Sequence, residues 1–502
     1  MPPKGTGRAQ EFAAIDLGSN SFHLLVARRD GNELRVIDRM RDSVRLAAGL
    51  RADRHLSPPV AARALACLRR FGERLRGIPA HQVRAVGTNT MRKLAVGNEF
   101  VAAATTALGH PIEVIAGAEE ARLVYSGVMQ GRSRARPRRL VVDIGGGSTE
   151  LIIGRGDKPK LMESVSLGCV VHTQRFFGDG MISAARFRRA RLAAGVELEF
   201  LKQPYRDAGW DQVIGSSGTI RGIWRVMREH DWITDEITRD ALENLIELTL
   251  HRRRIVDIDF PALRDDRRPV FIGGLAALAG VFDTLQIERM QTSDRALREG
   301  VLHDLFGRLS NRDVRNDAVQ AMAQRYGVDA EHARAVERTA LRIYEQLAPV
   351  WALDRATTLP FLRWAAQLHE TGLAISHNSY QKHSEYIVQH SDLQGFSQTD
   401  KLILAALLRL HRGKFAATST AGLPEEWREP VRRLAIMLRL AYLLHRSRKP
   451  GLRPPLQIEA TRKRVQLGFR HANWLERHPL THADLQREVQ YLAATPLRLQ
   501  LA

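Results

Sequence analysis

Asp143 and Glu150 lie seven residues apart, on either side of the turn Ile144-Gly145-Gly146-Gly147-Ser148-Thr149. Apolar stretches with strand character precede and follow it, at residues 140–142 and 151–153. A hairpin here brings both carboxylates to one mouth, where they can share a hard cation. Mg²⁺ takes few protein carboxylates, keeps several waters and bridges to phosphate oxygens. Turn capping is the blander role for the same two acids. A second turn of this design lies 127 residues upstream: Ile15-Asp16-Leu17-Gly18-Ser19-Asn20-Ser21, between apolar residues 12–15 and 22–26. Glycine permits close approach and positive φ, and successive N–H groups form an anion-binding concavity. Two such turns, each with an Asp at its mouth, imply duplicated half-domains facing each other across a phosphate.

Three further segments carry chemistry. Gly117-Ala118-Glu119-Glu120-Ala121-Arg122 opens a helix directly after a strand. Acids in a first helical turn often only satisfy the helix dipole. Adjacent residues point in different directions, so one of Glu119 and Glu120 enters the cleft, where a carboxylate can take a proton from an attacking water. Gly87-Thr88-Asn89-Thr90-Met91-Arg92 sits at a strand-to-helix junction, where free N–H groups bind anions. Arg92 there either offsets charge on a phosphate oxygen or makes a surface salt bridge. Gly215-Ser216-Ser217-Gly218-Thr219 is a third glycine turn between strand and helix, and it completes a phosphate cradle.

The elements around these residues alternate. Residues 11–47 read as strands, 57–76 as a helix with Ser57 as N-cap, then strand 83–86, helix 90–108, strand 112–115 and a helix from Ala118. Such alternation means a layered α/β domain. The polar connector at residues 131–139 is the natural first boundary, and the second half repeats the theme to about Phe306. Beyond Asn311 helical patterns dominate to about Arg446. A Pro/Gly cluster at Lys449-Pro450-Gly451 precedes a segment with strand character at 456–467 and a final helix.

The chain has 502 residues, enough for several cores. Its N-terminus lacks the apolar stretch of a signal peptide, and no run reaches the length of a membrane helix, so a cytoplasmic protein is expected. Cys67 and Cys169 form no disulfide framework or zinc pattern and read as small packing residues. The net charge is +21, and residues 431–502 hold 14 Lys/Arg against 4 Asp/Glu. Such a tract attracts polyanions.

Taken together, these motifs resemble the exopolyphosphatase and guanosine pentaphosphate phosphohydrolase family, within the actin, sugar-kinase and heat-shock ATPase superfamily. Residues 14–23 and 143–150 look like its phosphate loops, and Glu119-Glu120-Ala121-Arg122-Leu123 like its catalytic-glutamate motif. Gly273-Gly274-Leu275-Ala276 and residues 296–302 extend the likeness. The resemblance implies two actin-like (ribonuclease H-like) α/β half-domains flanking a cleft, at 1–135 and 136–310. An all-α HD-like domain at 311–447 and a small α+β domain at 448–502 follow. It makes Glu120 the general base, and Arg92 one of the residues that grip the terminal phosphate. Asp143 and Glu150 would hold Mg²⁺, with Mn²⁺ the alternative. Ser19, Asn20, Ser21, Gly145, Gly146, Gly147, Ser148 and the turn Gly215, Ser216, Ser217, Gly218 and Thr219 would grip phosphate.

Trp364 to Gly372, Lys382-His383-Ser384 and Leu410-His411-Arg412 resemble the HD-like domain of long family members. His369-Glu370 replaces the His-Asp pair of metal-dependent HD enzymes, so buried, hydrogen-bonded structural histidines are expected. The basic C-terminal third favours a polymer: processive release of orthophosphate from polyphosphate, along a channel at Arg412, Lys414, Arg432, Arg433 and Arg439. The nearest rival is the same centre acting on guanosine pentaphosphate, alone or in addition. A third reading is a cleft that regulates a nucleic-acid-binding tail. It is disfavoured by the intact carboxylates and by the scatter of Tyr442, Phe469, Trp474 and Tyr491. The family resemblance also implies a homodimer, without membrane association.

Overall fold

The computed structural model describes residues 10–30, 33–94, 98–132, 137–309, 313–415, 417–449, 451–471, 473–493 and 495–502. The N-terminal octapeptide, the centre of the 131–139 connector, the boundary at 310–311 and Pro450 lie outside the described residues. The chain divides into two compact units, Met1–Asp313 and Val314–Ala502.

The first unit is built on two sheets of one design. The first sheet holds β1 (Glu11–Leu17), β2 (Phe22–Asp30), β3 (Glu33–Asp42), β4 (Val83–Gly87) and β5 (Ile112–Val114), in the order β3-β2-β1-β4-β5. The second holds β6 (Arg138–Ile144), β7 (Thr149–Arg155), β8 (Lys158–Val165), β9 (Gln212–Ser216), β10 (Ile237–Thr238) and β11 (Arg289–Thr292), in the order β10-β11-β9-β6-β7-β8. In each, a three-stranded antiparallel meander is extended on its first strand by parallel strands: β1 with β4, and β6 with β9. The strand order around β1 is thus repeated around β6, the duplicated actin-like architecture.

Two helices, Gly117–Met129 and Leu297–Leu309, tie the halves together. Phe12, Ala14 and Val86 of the first sheet share a core with Val141, Ile152 and Ile214 of the second, through Leu123, Val124, Val301 and Leu305 of these helices. The helices cross at glycines. A Cβ on Gly300 would sit 1.8 Å from Leu123 O, and one on Gly127 would sit 2.1 Å from Ala296 O. Such an approach fixes the pitch of the helix that begins at Gly117. Beneath it, Arg122 binds Glu119 at 2.7 and 2.8 Å, and Arg84 binds Asp304 at 2.7 Å. A buried network of this kind holds firm only when every charge has a partner.

The expected helix at 90–108 is interrupted: Asn89–Lys93 and Glu99–Leu108 are separate helices. Cys67 and Cys169 are buried and unpaired, as packing residues should be. Among the described residues, Arg268–Leu285 alone is long and apolar enough to cross a membrane, and 83 % of it is buried in the core.

The second unit is helical, closed by β12 (Leu456–Ala460), β13 (Arg464–Phe469) and β14 (Arg498–Leu501), with β13 parallel to β14. One apolar core runs from Val336 and Leu362 through Leu438 to Val465, Leu485 and Leu499. The C-terminal strands therefore pack as part of the helical unit.

Candidate active site

The sheet register sets the site. Asp143 and Glu150 are direct cross-strand partners on β6 and β7, so the turn between them presents both carboxylates together. Asp16 occupies the equivalent place on β1, one residue before the strand end, as Asp143 does on β6. Glu120 enters from the first turn of the helix Gly117–Met129. All four line one cleft of about 310 Å³.

The two glycine turns face each other across it. A Cβ on Gly146 would lie 3.0 Å from Ser19 Cβ and 3.1 Å from Asn20 N. One on Gly147 would lie 2.5 Å from Asn89 Oδ1. None of Gly18, Gly145, Gly146 and Gly147 has positive φ, so these glycines serve close approach rather than a left-handed turn. Each turn has its carbonyls tied from behind. Arg45 N and Ala47 N donate to Asn20 O and Ser19 O, both at 2.8 Å; Cys169 N and Val170 N donate to Gly145 O and Gly146 O, both at 2.9 Å. Among the described residues, the N–H groups of Ser19, Gly146 and Gly147 have no backbone acceptor. They are the donors a phosphate requires. Ser19 Oγ accepts from Thr90 at 2.8 Å, and Ser21 Oγ accepts from Asn20 and Arg41, both at 3.3 Å.

The carboxylates are buried and repel one another. Burial pushes the Asp16 carboxyl up to about 8, helped by Glu120 and opposed by Arg298; Asp16 Oδ1 is buried without a partner. Burial pushes Asp143 up to about 6, opposed by Ser216, its cross-strand neighbour on β9. Glu150 is driven well above the usual carboxylate range by burial, then by Glu120 and Asp143, although Ser164 Oγ donates to it at 2.8 Å. Glu120 is also raised by burial, and Arg92 opposes this through a 2.8 Å ion pair. Arg92 Nη1 also donates to Ile115 O at 2.9 Å, which anchors the guanidinium. Glu119 takes no part, being spent on Arg122.

The rim has the opposite sign. Arg39, Arg41, Arg221, Arg225, Arg264, Arg267 and Arg298 line the cleft. No local motif singles them out, because they come from four separate segments. In sequence Asp16 stands only at the mouth of its turn; its topological match to Asp143 is the signal that sets it beside the other carboxylates.

Other expectations need correction. Of the turn 215–219, only Ser217 and Gly218 line the cleft. Gly215 packs against Ile220 and Met290, Ser216 Oγ donates to Arg295 O at 3.1 Å, and Thr219 fills the space over Gly274. The five C-terminal cations form no row of free charges. Arg439 is 1 % exposed, pairs with Glu488 and donates to Leu410 O and Gly413 O. Arg433 binds Glu429 and Trp351 O, Arg432 lies 3.8 Å from Glu429, and Arg412 stacks on Tyr380; Lys414 is exposed.

Similarity to known proteins agrees with this geometry. A profile of the Ppx/GppA phosphatase family matches residues 25–309, and a profile of Ppx/GppA phosphatase domain III matches residues 314–489. The guanosine-5'-triphosphate,3'-diphosphate pyrophosphatase of Aeromonas hydrophila is 38 % identical over 479 residues, covering 95 % of this chain and 96 % of that protein. The protein of the same name from Vibrio vulnificus is 36 % identical over 485 residues, covering 96 % of each. The crystal structure of an exopolyphosphatase from Cytophaga hutchinsonii shares the fold at 22 % identity, with a TM-score of 0.54, over 59 % of this chain and 98 % of that chain. The chain is a phosphoanhydride hydrolase and belongs to the Ppx/GppA phosphatase family.

Proposed function

We propose that this enzyme removes the terminal phosphate from the 5'-triphosphate of guanosine 5'-triphosphate 3'-diphosphate. The observation that carries the reading is the ring of seven arginines around a compact cleft, whereas among the five C-terminal cations Arg432, Arg433 and Arg439 face carboxylates and Arg412 stacks on Tyr380. A nucleotide with two phosphate clusters needs a short, strongly basic rim, whereas a long polymer needs a track of free cations. The names of the relatives that align over nearly the whole chain support the same substrate. Hydrolysis of polyphosphate is the second reading, favoured by the rim itself, which attracts any polyanion.

In the proposed reaction the terminal phosphate lies between the two glycine turns, held by the N–H groups of Ser19, Gly146 and Gly147 and by the hydroxyls of Ser19 and Ser148. Glu120, destabilised as an anion by burial, takes the proton of the attacking water. Arg92 holds that carboxylate in place, and its charge also favours the developing negative charge on the phosphate. Phosphoryl transfer asks mainly for such positioning and neutralisation. Asp143 and Glu150, with Asp16 beside them, would hold a divalent cation. An all-oxygen donor set suits Mg²⁺ or Mn²⁺, and four crowded carboxylates with an unpartnered Asp16 oxygen fit a group of that charge. Bound there, the ion would offset charge on the phosphate oxygens.

The test is competition between substrates. Orthophosphate release is measured from guanosine pentaphosphate and from long-chain polyphosphate, separately and mixed. The proposal expects the higher kcat/KM for the nucleotide, and Arg225→Ala with Arg264→Ala raising its KM. A higher kcat/KM for polyphosphate transfers the main activity to the polymer. No release from either overturns both readings.

A further inference from the structure

A carboxylate stands among the arginines of the rim and is not one of the four in the hydrolytic centre. Asp266 lies in the turn at 264–267, which Arg267 N closes on Arg264 O at 2.9 Å. Asp266 Oδ2 is paired with Arg41 Nη2, accepts from Ser43 Oγ at 3.2 Å and lies 4.0 Å from Arg267 Nε. Its Oδ1 accepts from Arg264 Nε at 3.0 Å. Three of the seven rim guanidiniums thus converge on one side chain. Arg41 is on β3 and Ser43 just beyond it, in the first half-domain; Asp266 belongs to the second. The bonds therefore cross the mouth of the cleft, and the Arg41 and Asp266 side chains are each only 20 % exposed.

Guanidiniums and a hydroxyl gathered on a pair of oxygens are the donor set that grips a phosphate. Asp266 takes that place without satisfying it. Burial, and next the charge of Arg267, push Arg41 down to about 10 in spite of Asp266, and Arg41 Nε is buried without a partner. Asp266 is itself held below the usual carboxylate range: burial opposes its charge, and Arg41, Arg264 and Arg267 outweigh it. Arg41 Nη2 also donates to Ser21 Oγ at 3.3 Å, so the guanidinium held by Asp266 touches the first glycine turn. A tethered carboxylate competes at an effective concentration of about millimolar or more. It brings a single charge, whereas a phosphate chain brings several and meets more of the rim.

We propose that Asp266 is an autoinhibitory carboxylate, a resident competitor that the substrate must displace from Arg41. A substrate seated in the glycine turns takes Arg41 for the phosphate behind the terminal one. The clasp between the half-domains opens as that substrate binds. After hydrolysis the product has lost a phosphate and its hold on the turns, so Asp266 reclaims Arg41 and favours departure of the product. A competitor of this kind weakens every ligand that needs Arg41 by one common factor. The inference holds for either substrate considered above, because both carry charge beyond the scissile phosphate.

The experiment uses the full chain carrying Glu120→Gln, so that ligands stay intact. Binding of inorganic tripolyphosphate and of guanosine pentaphosphate is measured by calorimetry, in that chain and with Asp266→Asn added. Both Kd values should fall by about threefold or more, and by the same factor, as removal of one partly exposed competing ion pair allows. Affinity should also drop more steeply with salt in the variant, because chloride then neutralises Arg41 and is released on binding. Asp265→Asn controls for net charge: that carboxylate is 91 % exposed and pairs with Arg268, and its loss should leave both Kd values in place. Ser43→Ala takes a donor from Asp266 without removing a charge. It should tighten binding by a smaller factor, and it carries the test if Asp266→Asn fails to fold. If the nucleotide does not bind, the substrate reading fails and tripolyphosphate still decides this one. Unchanged or weaker binding in folded Asp266→Asn, equal tightening in Asp265→Asn, or no tightening in Ser43→Ala would overturn it.

Discussion

Replacing Arg92 with glutamine should move the acid limb of the pH–rate profile upward. In the native site Arg92 Nη1 lies 2.8 Å from Glu120 Oε2, and the two side chains are 16 % and 9 % exposed. Burial is the largest influence on Glu120 and raises its pKa; Arg92 is the first influence opposing it. Two unit charges about 4 Å apart at an effective dielectric of about 20 interact by about 4 kcal/mol, an upper bound of roughly three pK units. An opposite charge at this range lowers a carboxylate by about 1–3 units in practice. Removing the guanidinium therefore keeps Glu120 protonated to higher pH, and a protonated carboxyl cannot accept the proton of water. The assay is kcat/KM for orthophosphate release across about pH 5 to 10, with the limb read as a property of the coupled carboxylates. The limb should shift alkaline by about 1–3 units, with part of the activity recovered above it. An unmoved limb, with activity lost equally at every pH, would mean that Arg92 acts on the substrate alone and does not tune Glu120.

Other consequences follow from the same geometry. Gly147→Ala places a methyl 2.5 Å from Asn89 Oδ1; the cost is about 1–3 kcal/mol in a denaturation curve, with KM for substrate rising more than kcat falls. Asp143 is raised from 3.8 to about 6 by burial, so the protein in chelator should lose stability as pH rises. Below about pH 4 both folded and unfolded chains hold the proton. Between about 4 and 6 only the folded chain does, and about 3 kcal/mol is lost across that window. Melting temperatures that rise with pH through this range, all else fixed, would contradict it; added Mg²⁺ should restore the loss. Arg439→Met leaves Glu488 buried without its partner, a destabilisation of about 3–5 kcal/mol by chemical denaturation. Polyphosphate hydrolysis per folded molecule should be unchanged, whereas a selective loss of long-chain activity would restore the channel reading.

The parts of the site legible in sequence were those made by local geometry. A hairpin turn of fixed length puts Asp143 opposite Glu150 whatever the rest of the chain does, and the repeated Asp-x-Gly turn announced the duplication. The choice between Glu119 and Glu120 was not local. It depends on Arg122 and, from outside the motif, Arg84 claiming Glu119, with Asp304 binding both arginines. The arginine rim was illegible for a similar reason: strands and loops from Arg39 to Arg298 meet only in three dimensions. A count of basic residues ignores position, and so assigns Arg439 to a surface it does not occupy. Its place within Leu438-Arg439-Leu440, in an apolar run on the helix Glu425–His445, marks a core residue. The strand Arg498–Leu501 also went unseen, since four residues beside a chain end carry too little periodicity.

In the proposed reaction a water molecule, activated by Glu120, attacks the terminal phosphorus. Hydrolysis of guanosine pentaphosphate in ¹⁸O-labelled water, by wild type and Glu120→Gln, tests that directly. The expected result is label in the released orthophosphate and none in the nucleotide product, with the rate falling by about 10²–10⁴ in the variant. Label in the nucleotide, or a variant as fast as wild type, would contradict it.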